Sequence, residues 1–379
     1  MNFAFSDEQE SFRETLRRFA AERWPVAESR RLADSPRGFE PDVWRALASE
    51  LGLAGLLVAE EHGGQGASFL ELGIALEELG RQLAGGPLFA AQLCVLALQN
   101  CATPAEQAEL LPGIARGETL AALALSAGVE FRGGRLHGAQ RFVVDAQNAS
   151  LLLIGARSAE GAGLFAVAAD APGVEITPAA PLDLTRKFAH LRLSGAAARK
   201  LGAADAKAGC EKTRLQAIIA LSAEQIGSAQ QCLDMALAYV RGRFQFGRPV
   251  GSFQAVKHRA ADAHMRIELA RSAACWSWWV AANSGGAPAA SATAELAEAA
   301  RVVKSLCSEA HQQAAYACIH LPRGQGFTWE HDAHLHYRRA LSNASLFGSP
   351  TAHRAALARQ LGLRPRLSGY ACAEEGAKC

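Results

Sequence analysis

Residues 241–258, RGRFQFGRPVGSFQAVKH, gather the side chains in this chain best suited to holding an anion. Arg243 and Arg248 bring guanidinium groups, Gln245 and Gln254 bring amides, and Phe246 and Phe253 bring aromatic faces. At a turn, beside the free backbone N–H groups of a new helix start, such a set suits a phosphate or pyrophosphate. The same composition also suits a solvated corner between helices. The elements that would position the turn are legible on both sides. Ile219, Ala223, Ile226, Leu233 and Leu237 recur at helical spacing before it, and Val256, Ala260, Ala263, Ile267 and Ala270 after it. Gly247 and Pro249 break the first helix, and the second is predicted to begin near Ser252.

Composition narrows the function classes. The 379 residues are 50% hydrophobic and 20% charged, with a formal net charge of +2, so neither nucleic acid nor an acidic membrane is demanded as a partner. The N-terminus carries Asp7, Glu8 and Glu10 in place of a basic segment followed by an apolar run, which argues against a signal peptide. No apolar stretch of roughly 18 residues suggests a membrane span. Nine cysteines are scattered without a CxxC pair, as expected of buried thiols in a reducing cytoplasm and not of a disulfide or metal framework.

Along the chain, residues 1–118 read as helices. Phe5, Phe12, Leu16 and Phe19 form one stripe, and Ser6 with Gln9 has the form of a capping box. Gly63, Gly64 and Gly66 predict a tight turn before a helix through Leu70, Ile74 and Leu79. Residues 119–205 are short alternating segments parted by Gly, Pro and Asp, the signal for an antiparallel β domain. Helices resume over 206–362, interrupted by a flexible connection at Ser284–Pro288, and 363–379 read as a disordered tail. Trp276, Trp278 and Trp279 read as core or subunit-contact residues.

The string RxQFGRPxGSFQAVKH closely resembles the helix–turn–helix signature of the acyl-CoA dehydrogenase family. SDEQESFRETLRRFA and residues 52–83 resemble the N-terminal helical domain of the same family, so the resemblance covers about 1–362. It implies an α+β acyl-CoA dehydrogenase fold: an N-terminal helical domain, a middle antiparallel β domain and a C-terminal four-helix bundle. It also implies FAD. In the family this turn contacts the adenosine-diphosphate half of FAD bound to the neighbouring subunit, which assigns Arg243, Gln245, Phe246, Phe253 and Gln254 to the cofactor. The family's later Gly-rich turn corresponds to His320, Arg323, Gly324 and Gly326, and Ser349 stands where the family has threonine.

The positions that should carry the chemistry depart from the family. α,β-Dehydrogenation of an acyl-CoA needs a carboxylate base over the α-carbon, with flavin on the other face. The family's glutamate precedes a Gly-Thr pair, and here that place holds Phe347, followed by Gly348. In other members the base lies ten residues before the glycine matching Gly227, which here is Ala217. The Thr-Glu-Pro loop that lines the flavin is mostly absent from 123–138, and Phe142 and Val144 replace the tryptophan and threonine of the next strand. No catalytic residue is therefore assigned. GFTWEHDAHLHYRRA further resembles subunits of bacterial acyl-CoA dehydrogenases that assemble from two different chains in steroid degradation, with one FAD per unlike pair. The resemblance implies a base-lacking subunit whose paralogous partner holds most of the acyl-CoA. Two alternatives stand beside it: a homomeric enzyme using an unrecognised base such as Glu224, and a flavin-free structural protein on this fold.

Overall fold

The computed structural model describes residues 4–202, 205–284 and 289–363. The first segment folds as α1 (Asp7–Arg23), α2 (Val26–Ala33), α3 (Pro41–Arg45), α4 (Phe69–Arg81), α5 (Leu88–Cys101) and α6 (Pro104–Ala115). Three of these helices start with a reciprocal cap, from Ser6 with Gln9, Ser68 with Glu71 and Thr103 with Glu106. Each cap satisfies two backbone N–H groups that a helix start leaves without partners. The glycine turn before α4 is structural. A Cβ on Gly64 would lie 2.1 Å from the Val58 carbonyl oxygen, so only glycine fits there. α5 is apolar on all sides because it is covered on all sides, with Leu88 to Leu98 buried.

The alternating segments form one sheet of β1 (Ala121–Ala124), β2 (Val129–Arg132), β3 (Arg135–Val144), β4 (Leu151–Ser158), β5 (Gly161–Ala168), β6 (Val174–Pro178), β7 (Phe188–Ala197) and β8 (Arg199–Leu201). The order is β6-β7-β3-β2-β4-β5-β8. Pairing is antiparallel except at β4, which takes β1 in parallel along Leu151–Ile154 and β2 in parallel at Arg157. Leu153, Leu164 and Leu201 of the sheet close a core with Cys94, Leu98, Leu111 and Ile114 of α5 and α6.

The last segment holds α7 (Lys207–Gly242), a hairpin of β9 (Phe244–Gln245) and β10 (Arg248–Pro249), then α8 (Gln254–Asn283), α9 (Ala289–His320), α10 (Ala333–Ser345) and α11 (Pro350–Gln360). α7 to α10 form the bundle, and α11 lies along α9. Beyond Ser284 the expected flexible connection lies outside the described residues, as does the tail after Leu363. Trp278 is fully buried, and Trp276 and Trp279 pack half-buried on the same core. No described helix is long and apolar enough to cross a membrane.

Two glycines bring α4 and α7 into backbone contact. A Cβ on Gly227 would stand 1.9 Å from the Glu77 carbonyl oxygen, and one on Gly80 would stand 2.6 Å from that of Glu224. This crossing fixes the height of Glu224 in the bundle. In an open helix, Gly→Ala gains about 1 kcal/mol from propensity. At this crossing we expect the opposite sign, with Gly227→Ala costing about 1–3 kcal/mol or more through overpacking. A lowered urea midpoint at unchanged m-value checks it, and an unchanged midpoint would show that the two helices part freely.

Candidate functional site

The arginine-bearing turn is a tight hairpin pinned to the end of α7. Arg243 N–H donates to the Tyr239 carbonyl (2.9 Å), and Val250 N–H donates to the Arg243 carbonyl (2.7 Å). Gln245 pairs with Arg248, leaving Phe246 and Gly247 as the two turn residues, with φ of 53° and 75°. That conformation comes readily to glycine and costs a phenylalanine strain. The strained Phe246 ring is 91% exposed and meets Phe253 edge-on at 6.2 Å. Arg248 lies 4.0 Å over the Phe253 ring. Phe253 is the N-cap of α8 and offers no side-chain cap; the Val256 N–H donates to the Phe253 carbonyl (3.0 Å), and no side chain caps the Gln254 and Ala255 N–H groups ahead of it. Two guanidiniums, an uncapped helix start and exposed rings fit a pyrophosphate with an adjoining base or sugar.

The second predicted stretch reaches the same end of the bundle. Leu321 packs with Ala236, Val240, Val250 and Val256, which carries the end of α9 to the foot of the hairpin. His320 lies against Tyr316 with ring centroids 4.0 Å apart and the planes tilted by 37°, and it meets Phe327 edge-on at 5.3 Å. Arg323 is exposed at φ 57°, Gly324 has open space around it, and Gly326 is held where a Cβ would strike the Ile319 carbonyl. Ser349 does not join this set. Its hydroxyl caps α11, accepting from Ala352 N–H at 3.2 Å, and the next residue, Pro350, receives the Ser305 hydroxyl. His320 ends α9 about 20 Å along the helix axis from Ser305.

The positions expected for chemistry are apolar in three dimensions as well. Phe347 is half-buried with its ring 6.5 Å from Phe89, and it packs on the core cluster that contains buried Ala217. Val144 is buried in that same cluster, and Phe142 lies half-exposed, edge-on to Phe188 and His190. Only Leu125–Gly128 joins β1 to β2.

Sequence reasoning missed a buried ionic network beside these positions. Glu224 is bound by both Arg186 and Arg339. Arg339 also donates to Asp183 at 2.5 Å and to the Thr185 hydroxyl at 2.7 Å. Arg186 reaches the Asn343 amide oxygen at 3.0 Å, and Lys304 donates to the Asn343 carbonyl. Burial alone would raise the Glu224 carboxyl, but the two arginine charges and their hydrogen bonds outweigh it and hold the acid below the usual range. Glu224 is thus held ionised as the counter-ion of both arginines. Arg338 is half-buried, carries its guanidinium over Trp329 and donates to the Leu182 carbonyl. Its neighbour Arg339 shares the buried face of α10 with Leu335 and Asn343, a four-residue rhythm that could have been read. Arg186, Glu224, Phe89, Trp24 and Trp44 line a cavity of ≈ 30 Å³, room for on the order of one or two waters. Deeper in the bundle, Ser228 bridges His336 Nδ1 and His311 Nε2 at 2.7 Å each.

Residues 6–118 match the acyl-CoA dehydrogenase N-terminal domain, and residues 211–362 match the acyl-CoA dehydrogenase C-terminal domain. This chain belongs to the acyl-CoA dehydrogenase family. It is 34% identical over 348 residues to acyl-CoA dehydrogenase IpdE2 of Mycobacterium tuberculosis, covering 91% of this chain and 94% of the relative. Among solved structures it resembles the Tcur3481-Tcur3483 steroid ACAD, with TM-score 0.84 and 29% identity over 94% of this chain and 98% of that one. It also resembles the ChsE4-ChsE5 complex from Mycobacterium tuberculosis, with TM-score 0.85 and 27% identity over 96% of this chain and 100% of that one. The acyl-CoA dehydrogenases are oxidoreductases, and this member keeps their architecture.

The buried polar groups of this acyl-CoA dehydrogenase give it an acid-sensitive core. Burial pushes His311 and His336 down to about 3, and pushes Asp145 up to about 7. As pH falls below 6.5, the unfolded chain protonates both histidines while the folded chain does not. Asp145, already protonated when folded, offsets one of the two. From these three groups the net uptake by the unfolded state approaches one proton, so their share of the stability falls by up to roughly 1.4 kcal/mol per pH unit as pH drops from 6.5 to 5. Urea midpoints at pH 7, 6 and 5 check this, and a flat series would show that the histidines charge within the fold.

Proposed function

We propose that this chain is the base-lacking subunit of a heteromeric FAD-dependent acyl-CoA dehydrogenase. In this assignment it serves α,β-dehydrogenation of an acyl-CoA thioester of the steroid or lipid catabolic class, in the cytoplasm. Its partner is a paralogous subunit that supplies the base and holds most of the substrate. The observation that carries the assignment is the loss of every candidate base. Phe347 and Ala217 are hydrocarbon, and the Glu224 carboxylate is held between Arg186 and Arg339. The names of two similar structures, one a Tcur3481-Tcur3483 steroid ACAD and one a ChsE4-ChsE5 complex, support an unlike-chain assembly.

FAD, when bound, supplies the hydride acceptor. The residues present fit its adenosine-diphosphate half and not its ring. Arg243, Gln245, Phe246, Phe253 and Gln254, with His320, Arg323, Gly324 and Gly326, would hold the phosphates and adenosine of a flavin whose ring lies in the partner. Val144 has no hydroxyl to offer the ring, and the four residues between β1 and β2 are too few to cover it. Ser349 stays a candidate contact on the Phe347 side, apart from that set. The domain limits 1–118, 119–205 and 206–362 belong to the same proposal.

Two outcomes test it. The purified chain should not oxidise a saturated acyl-CoA with a dye acceptor, since a positioned base contributes on the order of 10²–10⁴-fold. Phe347→Glu alone should not restore turnover, because the ring-binding loop is missing too. Turnover at ordinary enzymatic rates by the unmixed chain would overturn the assignment. In the reconstituted heteromer, Arg243→Ala should weaken FAD binding about tenfold to hundredfold, the worth of one charge-assisted contact. Flavin absorbance per complex after dialysis measures it. Unchanged occupancy in an assembled complex would remove Arg243 from the cofactor site.

A further inference from the structure

The scattered cysteines are not isolated in space. Cys101 ends α5 and Cys210 lies in the first turn of α7, and their sulfurs stand 3.9 Å apart although 109 residues separate them in sequence. Backbone crowding brings them together. A Cβ on Gly209 would lie 2.4 Å from the Asn100 carbonyl oxygen and 2.7 Å from the Cys101 sulfur, and one on Gly202 would lie 1.7 Å from the Cys101 carbonyl oxygen. Asn100 locks the approach, donating to the Thr213 hydroxyl at 3.0 Å and to the Gln216 amide oxygen at 2.7 Å. Both thiols are half-buried, within reach of a small solute, whereas Cys94, Cys232, Cys307 and Cys318 are sealed in the core.

We infer that Cys101 and Cys210 are a reversible oxidation site, joined as a disulfide by hydrogen peroxide and reopened by a dithiol. The sulfur–sulfur gap of 3.9 Å has to close to about 2.05 Å, a short movement at two helix ends. The hydrogen bond from Cys101 holds the Cys210 thiol below its ordinary range and Cys101 above it, so Cys210 is the first nucleophile. Its thiolate attacks one peroxide oxygen, the O–O bond breaks, and hydroxide leaves, giving a sulfenic acid. The Cys101 sulfur then attacks the Cys210 sulfur, its proton is lost, and the S–O bond breaks to release the second oxygen as water. In sum, two thiols and one hydrogen peroxide become one disulfide and two waters; the sulfurs lose two electrons and the peroxide gains them. The bond would tie the end of the N-terminal helices to the start of the bundle and close a loop containing α6 and the whole sheet.

The full chain is treated with hydrogen peroxide, alkylated after unfolding, and mapped by mass spectrometry without reduction. The expected result is a peptide pair linked through Cys101 and Cys210, an intact mass lower by two hydrogens, and full reversal with dithiothreitol. Cys232, Cys307 and Cys318 should remain alkylated as free thiols. Cys101→Ser should stop at a sulfenic acid on Cys210 that dimedone traps. The inference is overturned if both thiols stay free at peroxide levels that oxidise Cys275, or if Cys210 is found linked to any cysteine other than Cys101.

Discussion

The structure depends on one carboxylate shared by two arginines. Glu224 comes from α7, Arg186 from the connection before β7, and Arg339 from α10, so a single buried charge joins sheet and bundle. Removing charges from water is costly, and the cost is met only when every member is paired and hydrogen-bonded. Asp183, Thr185 and Asn343 complete that pairing on the arginine side. A carboxylate used in this way is held ionised and oriented toward cations. Each of its oxygens accepts from one arginine. The interaction that joins sheet and bundle therefore also commits this acid to its cations.

The two ends of the bundle differ in character as a result. Around Phe347 and Ala217 the chain is closed by rings and methyl groups. At the hairpin it does the reverse, presenting a strained, exposed aromatic and two guanidiniums beside an uncapped helix. Strain and exposure of this kind persist only where the surroundings hold them, and they collect at binding sites. One end is built as core and the other as an unfinished surface.

Much of this was legible in the sequence, for local reasons. The Ser6 cap, the glycine turn before α4, the strand punctuation and the break between α7 and α8 all depend on residues close in the chain, and each was found where its pattern indicated. What the sequence did not show depends on contacts that cross long distances. Arg338 and Arg339 are adjacent and chemically identical, and only the facing of α10 separates an exposed cation–π contact from the centre of the ion network. Ser349 matched the family in kind, but α11 places it far from the other candidates. The pairing of Cys101 with Cys210 carried no spacing signal at all, since α6 and the whole sheet intervene.

The parallel seating of β1 on β4 has a consequence for how the chain folds. The hairpins β2–β3 and β4–β5 can each form from neighbouring residues, and they can do so early. β1 cannot, because its partner lies beyond the β2–β3 hairpin that follows it. Its docking has to wait for β4 to be in place, and the same event brings Ala121 against Cys94 and Leu98 of α5. The four-residue β1 then adds to the contacts by which Leu153, Leu164 and Leu201 already join the sheet to the N-terminal helices.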